Sequence, residues 1–183
     1  MESLFIKKEI KYTGAELCPH WIYRNFKIPG DSIVCFKGPV EVNLTEMVDI
    51  EDVINNEPIK SDKMANFIIE VFNQNLREAV FRQRLFISII KETLEDMGIE
   101  VKRKGDDLFY KNRKLSVSIA TKSATSTLIH TGINLVSTGA PIEISSIKDM
   151  EIIDEDCFIE EVMKRFCMES SDIEFAKVKV RGV

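Results

Sequence analysis

The chain has 183 residues, 44% of them hydrophobic and 30% charged, with a formal net charge of -5. That length buries a core without disulfides or structural metals as props and predicts one domain over residues 1–183; the near-average composition, free of proline-, glycine- or serine-rich tracts, argues against a linker or disordered tail. The acid excess counts against a general nucleic-acid surface, which needs a basic field to displace counterions, and no apolar run of about 18 residues or N-terminal leader pattern supports membrane spanning or secretion.

Four cysteines, Cys18, Cys35, Cys157 and Cys167, are scattered among apolar neighbours without a CxxC pair. They read as buried reduced thiols in a cytoplasmic protein. In "CPHW", Cys18 and His20 form half of a metal-ligand pattern with no second half at a workable spacing, so no metal site is expected. Trp21 and Tyr23 beside them either line a pocket or simply pack.

"SIVCFKGPVEV", residues 32–42, is rich in β-branched and aromatic residues and broken by Gly38-Pro39, which predicts a strand, a bend and a second short strand. "EMVDIEDVINNEP" closes on Pro58 and reads as a surface connection. Its Glu46, Asp49, Glu51 and Asp52 lack the spacing and the glycine of a calcium loop, which leaves a solvated acidic face. Ser61 is a candidate cap for a helix through "DKMANFIIEVFN", and a longer helix is predicted from about Leu76 to Met97, ended by Gly98. In the second, Leu76, Ala79, Val80, Phe86, Ile87, Ile90, Leu94 and Met97 form a core-facing stripe. Arg82 and Arg84 flank that stripe, with Gln83 on it; they suit either surface salt bridges or phosphate contacts.

The period then changes from 3.6 to 2. Ile99 to Arg103, Asp107 to Tyr110, Lys114 to Thr121 and Leu128 to Val136 read as four consecutive strands of an antiparallel meander. Beyond a loop at Gly139-Ala-Pro141, Asp154 is a candidate cap for a helix carrying Phe158, Val162 and Phe166. The last stretch, "SSDIEFAKVKVRGV", is two-sided: Ser171 with Glu174 makes a capping box, while "AKVKV" alternates like a strand.

The segment "RKGDDLFYKNRKLSVSIATKS", residues 103–123, carries the strongest functional signal. A two-residue turn at Lys111-Asn112 sets Phe109 opposite Lys114 and Asp107 opposite Ser116. Lys114, Ser116, Ser118 and Ala120 then share a face with Asp107 and Phe109, and Leu115, Val117 and Ile119 share the other with Leu108. The first face is a shelf with a charged end: an ammonium held by an acid, with small hydroxyls that donate without filling space, suited to an anionic or carbonyl-bearing ligand. The same residues are also ordinary residents of a solvent-exposed face.

"DLFYKNRKLSVSIAT" followed by "LIHTGINL" resembles the catalytic core of biotin protein ligases, in which a Lys-Trp-Pro-Asn-Asp motif precedes a hairpin of the form D-L-Y-x-N-G-R-K and a later strand reads G-x-G-I-N. "KGDD" stands where the motif ends, the spacing from Asp107 to Lys114 matches, and Gly132-Ile133-Asn134 matches the G-I-N. Over its whole length, through "GDSIVCFKG", "FRQR", "GDDL", "KLSVSIAT" and "IHTGIN", the chain resembles a family of archaeal and some bacterial proteins described as a domain of unknown function. That family is similar in fold to the biotin and lipoate ligases and to the class II aminoacyl-tRNA synthetase core.

The resemblance implies an α+β fold: a mainly antiparallel sheet backed by the two helices between Asp62 and Met97. It implies that Lys114 contacts an acyl carboxylate and an α-phosphate, that Asp107 beside Asp106 orients Lys114 or a magnesium ion, and that Gly132 lets ligand approach the backbone. ATP and Mg are the cofactors it implies. The chain departs from the pattern in three places. No glycine-rich phosphate loop lies upstream of Arg103, and Arg82 and Arg84 replace only its charge. Val117 and Ser118 replace small residues, and His130 replaces the first glycine of the later strand. His130 shares a face with Gly132 and Asn134, where it is either an acid or base on the ligand or a hydrogen-bonded structural ring.

Two readings follow: an enzyme that activates or transfers a small carboxylate or acyl group, and a small-molecule binding protein that has kept the ligase pocket but lost adenylation. A tRNA-linked role is a third, by fold analogy alone. The sequence does not set the oligomeric state, but an edge strand in such a sheet commonly pairs across a dimer axis, so a homodimer is one open partner state.

Overall fold

The computed structural model describes residues 1–72, 75–151 and 154–183. Eight strands and four helices follow in the order β1 (Glu2–Ile6), α1 (Trp21–Phe26), β2 (Ser32–Val42), α2 (Ile50–Asn55), β3 (Ile59–Phe72), α3 (Leu76–Asp96), β4 (Lys102–Lys104), β5 (Asp107–Tyr110), β6 (Arg113–Lys114), β7 (Ser116–Lys122), β8 (Ser126–Asn134) and α4 (Glu155–Val178), with a 3₁₀ turn at Lys148–Met150 before α4. The main sheet runs β1-β2-β3-β8-β7, and β4-β5-β6 form a separate small sheet. Within the main sheet, among the described residues, only β1 is parallel to its neighbour. The fold is α+β with a mainly antiparallel sheet.

Most of the segment expected to be a helix after Ser61 is the central strand β3, and its last expected residue, position 73, lies outside the described residues. The reason is burial on both faces. From Met64 to Val71 every residue is buried, so the alternation that marks a half-exposed strand is absent and the run reads equally as a buried helix. Pairing with β2 on one side and β8 on the other decides for the strand. The helices backing the sheet are therefore α3 and α4. The stretch expected to be a strand, bend and strand is the single strand β2, whose bend is a register shift between Gly38 and Val40. Any Cβ at Gly38 would collide with the backbone of Ile10, whose N–H donates to the Lys37 carbonyl at 3.0 Å, so glycine is what lets the N-terminal segment lie on this strand.

α3 opens with a capping box between Asn75 and Glu78. α4 opens on Asp154, as expected, and continues into the two-sided C-terminal stretch as far as Val178, leaving Ser171 inside the helix with its hydroxyl donating to the Cys167 carbonyl. The core between sheet and helices centres on Phe67, Phe86 and Phe166, whose rings meet edge to face with centroids 5.2 and 4.8 Å apart. Burying each such ring contributes roughly 1.5–3 kcal/mol, with about 0.5–1.5 kcal/mol more per edge contact. On the opposite face, Tyr12, Leu17 and Ile22 from the N-terminal segment cover Val34, Phe36, Val40, Met64, Ile68 and Leu128. All four cysteines are free thiols, but only Cys35 is buried: Cys18 and Cys167 are half-buried, and Cys157 is exposed on the outward side of the first turn of α4.

Candidate functional site

A cavity of about 560 Å³ opens on the face covered by the N-terminal segment, walled by that segment, by α2 and its flanks, by the ends of β3 and β8, by β7 and by the β5–β6 hairpin. The hairpin turns at Lys111 and Asn112, both with positive φ (47° and 64°), as a two-residue hairpin turn of this twist requires. The turn pairs Phe109 with Lys114 and puts Asp107 on the same face, diagonal to the lysine. Lys114 Nζ lies 3.0 Å from Asp107 Oδ1, with about a third of each side chain exposed (35% and 29%). Burial raises the Asp107 carboxyl above its ordinary pKa, against the pull of Lys114 in the other direction.

The expected continuation of this face into Ser116 and Ser118 does not hold. Leu115 leaves the small sheet and drops into the helix-side core, its N–H donating to the Leu108 carbonyl at 2.8 Å, and the chain re-enters the main sheet as β7. The strand thereby reverses parity. Val117 and Ile119 pack on the cavity side, while Ala120 packs against the helices. Ser116 Oγ accepts from the Leu108 N–H at 2.8 Å, so Asp107 has no direct partner in Ser116. Ser118 Oγ accepts from Gln83 Nε2 at 3.1 Å and lies 2.9 Å from Thr131 Oγ1. Both serines still border the cavity at the edge strand β7, with their hydroxyls committed to protein partners.

Gln83 is a site residue that the sequence marked only as a position on the stripe. It is buried, and it also donates to Asp106 Oδ2 at 2.9 Å, while Arg84 Nη1 meets Asp106 Oδ1 at 3.1 Å. The two α3 side chains thus clasp the β4–β5 turn and fix the approach to Asp107. Arg82 points elsewhere: its Nη1 donates to Ser170 on α4 at 3.3 Å. Neither arginine borders the cavity. Asn134 holds the other side of the hairpin, its Nδ2 donating to the carbonyls of Ser145 (3.1 Å) and Lys114 (3.4 Å).

His130 is a buried ring that borders the cavity. Its Nε2 donates to Asn66 Oδ1 at 3.1 Å, Tyr12 stacks on its face, and burial pushes its pKa down to about 3. An imidazole held neutral in this way orients neighbours; it is not poised as an acid or base near neutral pH. Gly132 is also not a ligand floor, because a Cβ there would stand 2.8 Å from Met64 Cε and 3.2 Å from Val117 Cγ2, so protein side chains fill its space.

The acidic stretch expected to be a solvated face is exposed at Glu46, Glu51 and Glu57, and it also borders the cavity through Glu46, Asp49, Asp52 and Glu57. Asp49 caps α2 by accepting from the N–H groups of Glu51 and Asp52. Asp52 is half-buried, and its carboxyl is raised above the ordinary range by burial first and by Asp49 and Glu57 next. Among the described residues no group of three or more histidine, cysteine, aspartate or glutamate side chains is placed to hold a metal ion. In the "CPHW" segment, the His20 N–H donates to Glu70 Oε1 at 2.8 Å, and Cys18 Sγ accepts from Arg24 at 3.1 Å. Trp21 packs on Phe26 and Phe36, and neither it nor Tyr23 borders the cavity.

Residues 1–181 match the family described as "Domain of unknown function (DUF366)". The chain belongs to that family. The DUF366 chain is 39% identical over 180 residues to "Uncharacterized protein MJ0805" of Methanocaldococcus jannaschii, covering 95% of this chain and 81% of that protein. It is 40% identical to a solved protein of unknown function from Pyrococcus horikoshi, with a TM-score of 0.94 over the whole of both chains. Two ligases share the fold at low identity. Ta0514 of T. acidophilum, described as a "putative lipoate protein ligase" and solved with bound lipoic acid, is 14% identical at a TM-score of 0.61, over 91% of this chain and 85% of its own. Biotin protein ligase of Aquifex aeolicus, solved with biotin and ATP, is 12% identical at 0.59, over 91% and 69%. The ligase-like fold of the DUF366 chain is established by these likenesses. Among the described residues no helix is long and apolar enough to cross a membrane.

Proposed function

We propose that this protein binds a small carboxylate- or acyl-bearing molecule in the cavity beside β7, with Lys114 as the contact for its carboxyl group. The observation that carries the reading is the Lys114–Asp107 pair, 3.0 Å apart on the cavity wall. A pair this exposed contributes at most about 1 kcal/mol to stability, so folding alone gives little reason to hold it there. One of the three ammonium N–H donors satisfies Asp107 and the others remain for a ligand. A volume of about 560 Å³ suits a small organic molecule, and the cavity combines apolar walls with a few convergent polar groups. Lys114 and Asp107 act directly on the ligand in this reading; Asp106 and Asn134 position the hairpin through the clasp and through the Lys114 carbonyl, and His130 and Tyr12 close the floor.

Acyl activation with ATP is the second reading, favoured by the fold shared with a biotin ligase solved with biotin and ATP. The side chains here fit a triphosphate poorly. Six carboxylates (Glu46, Asp49, Asp52, Glu57, Asp106 and Asp107) border the cavity against two lysines, Lys60 and Lys114, and Gly14 is the one glycine among its described lining residues. A phosphate cradle needs clustered backbone N–H groups or a basic surplus. The reading we favour is therefore ligand binding without adenylation.

The test is a thermal-shift screen of small carboxylates, with and without ATP, beside ATP/pyrophosphate exchange on the same panel. Stabilisation by a carboxylate that is lost in Lys114→Met supports the binding reading. Exchange that is lost in the same variant supports the ligase reading instead. No shift and no exchange with any acid removes both.

A further inference from the structure

The cavity holds more negative charge than its own lysines balance. Asp107 is paired with Lys114, Asp106 with Arg84 and Gln83, and Asp49 is engaged as the α2 cap. Lys60 sits 3.9 Å from Glu41, outside the cavity's own acids. Of the other three carboxylates, Glu46 and Glu57 are exposed, whereas Asp52 is half-buried and makes no salt bridge among the described residues; Lys114, on the same cavity, draws its carboxyl down, but less than burial, Asp49 and Glu57 raise it. A carboxylate that is partly removed from water and shares its one nearby ammonium with Asp107 is costly unless something supplies a second countercharge.

A second, independent observation comes from β3, which borders the same cavity. Ser61 is 3% exposed, and its Oγ is buried with no hydrogen-bond partner. The register shift in β2 puts Ser61 opposite Val40, on the cavity side, and Ser61 borders the cavity with Asp52. Buried hydroxyls are nearly always satisfied, so an orphan bordering a cavity marks a place where a ligand group completes the bonding. Since no three of the described carboxylate, histidine or cysteine side chains converge on a metal position, an organic cation is the better match for the missing charge.

We infer that the ligand carries a protonated amine, seated at Asp52 and Ser61, in addition to the carboxyl group read by Lys114: its class is a small amino acid or amino carboxylate. This rests on the proposed function for the carboxyl end and on Asp52 and Ser61 alone for the amine end. The ammonium donates to Asp52 and to the Ser61 oxygen. The carboxylate accepts from Lys114.

The experiment is calorimetric binding of three probes, hexanoate, hexylamine and 6-aminohexanoate, extended to the common amino acids and their N-acetyl forms. The proteins are wild type, Asp52→Asn, Ser61→Ala and Lys114→Met. The inference expects an amino carboxylate to bind at least tenfold more tightly than its N-acetyl or amine-free counterpart. It expects Asp52→Asn to erase that preference while leaving the amine-free acid unaffected, with Ser61→Ala as a milder, well-folded check. Equal binding of amino and N-acetyl forms, or a preference that survives in Asp52→Asn, overturns it, and so does failure of every amine to bind. If hexylamine binds through Asp52 but no acid depends on Lys114, the amine site stands and the carboxylate reading falls; the reverse pattern does the opposite.

Discussion

The Tyr12 ring lies flat on the His130 imidazole, centroids 3.8 Å apart and planes 9° from parallel. His130 is tied at its edge to Asn66 of β3, so the N-terminal segment, β3 and β8 converge on one buried neutral ring.

That ring makes stability fall in acid. The folded protein resists protonating His130 down to about 3, whereas the unfolded chain takes up the proton near the ordinary value of 6.5. The stabilising contribution is complete above pH 6.5 and is lost progressively as pH falls toward 3, by about 2–3 kcal/mol at pH 4.5. Denaturant unfolding at pH 7.5 and 4.5 should show a smaller pH-dependent loss in His130→Gln than in wild type. Equal losses would place the acid sensitivity elsewhere.

Lys114→Met should abolish carboxylate binding and change stability by less than about 1 kcal/mol, because the Lys114–Asp107 pair is a third exposed. Loss of the lysine also removes the cation that draws the Asp107 carboxyl down, so that carboxyl should rise further, a shift visible by carboxyl-carbon NMR titration. A variant that melts several degrees lower would assign the pair to folding instead.

Gln83→Leu should loosen the hairpin without touching ligand. It removes the bridge from α3 to Asp106 and Ser118 and costs about 1–3 kcal/mol for unpaired buried groups. Amide hydrogen exchange in residues 103–114 should speed up at least tenfold while α3 keeps its protection. Unchanged exchange there would mean that the clasp contributes nothing to hairpin order.

Gly132→Ala forces a methyl against Met64 and Val117 and should cost about 1–3 kcal/mol by overpacking. The Met64→Ala background frees that space, so the double variant should lose about 1 kcal/mol less than the two single losses combined. Additive losses in denaturant titrations would show that the contact is not the cause.

The sequence made the hairpin legible and hid its surroundings. Lys111-Asn112 needs positive φ at both positions, and that local demand fixes the turn and the Phe109–Lys114 register without help from the rest of the chain. The Leu115 crossover was not legible, since nothing in "KLSVS" shows that one residue leaves one sheet for another and reverses the parity of Ser116 and Ser118. β3 reads as a helix in the sequence because burial on both faces erases the period of two. The acidic flank of α2 was in plain view as composition. Its position over the cavity depends on contacts between residues far apart in sequence, which local patterns do not carry.

Because Lys114 and Asp107 ride on a three-stranded flap stitched to the main sheet at Leu115, Asn134 and the Gln83–Asp106 clasp, the flap is a replaceable cassette. Its tip at Lys111-Asn112 does not border the cavity, so loop insertions, fluorophores or affinity tags grafted there report on the pocket from outside without entering it.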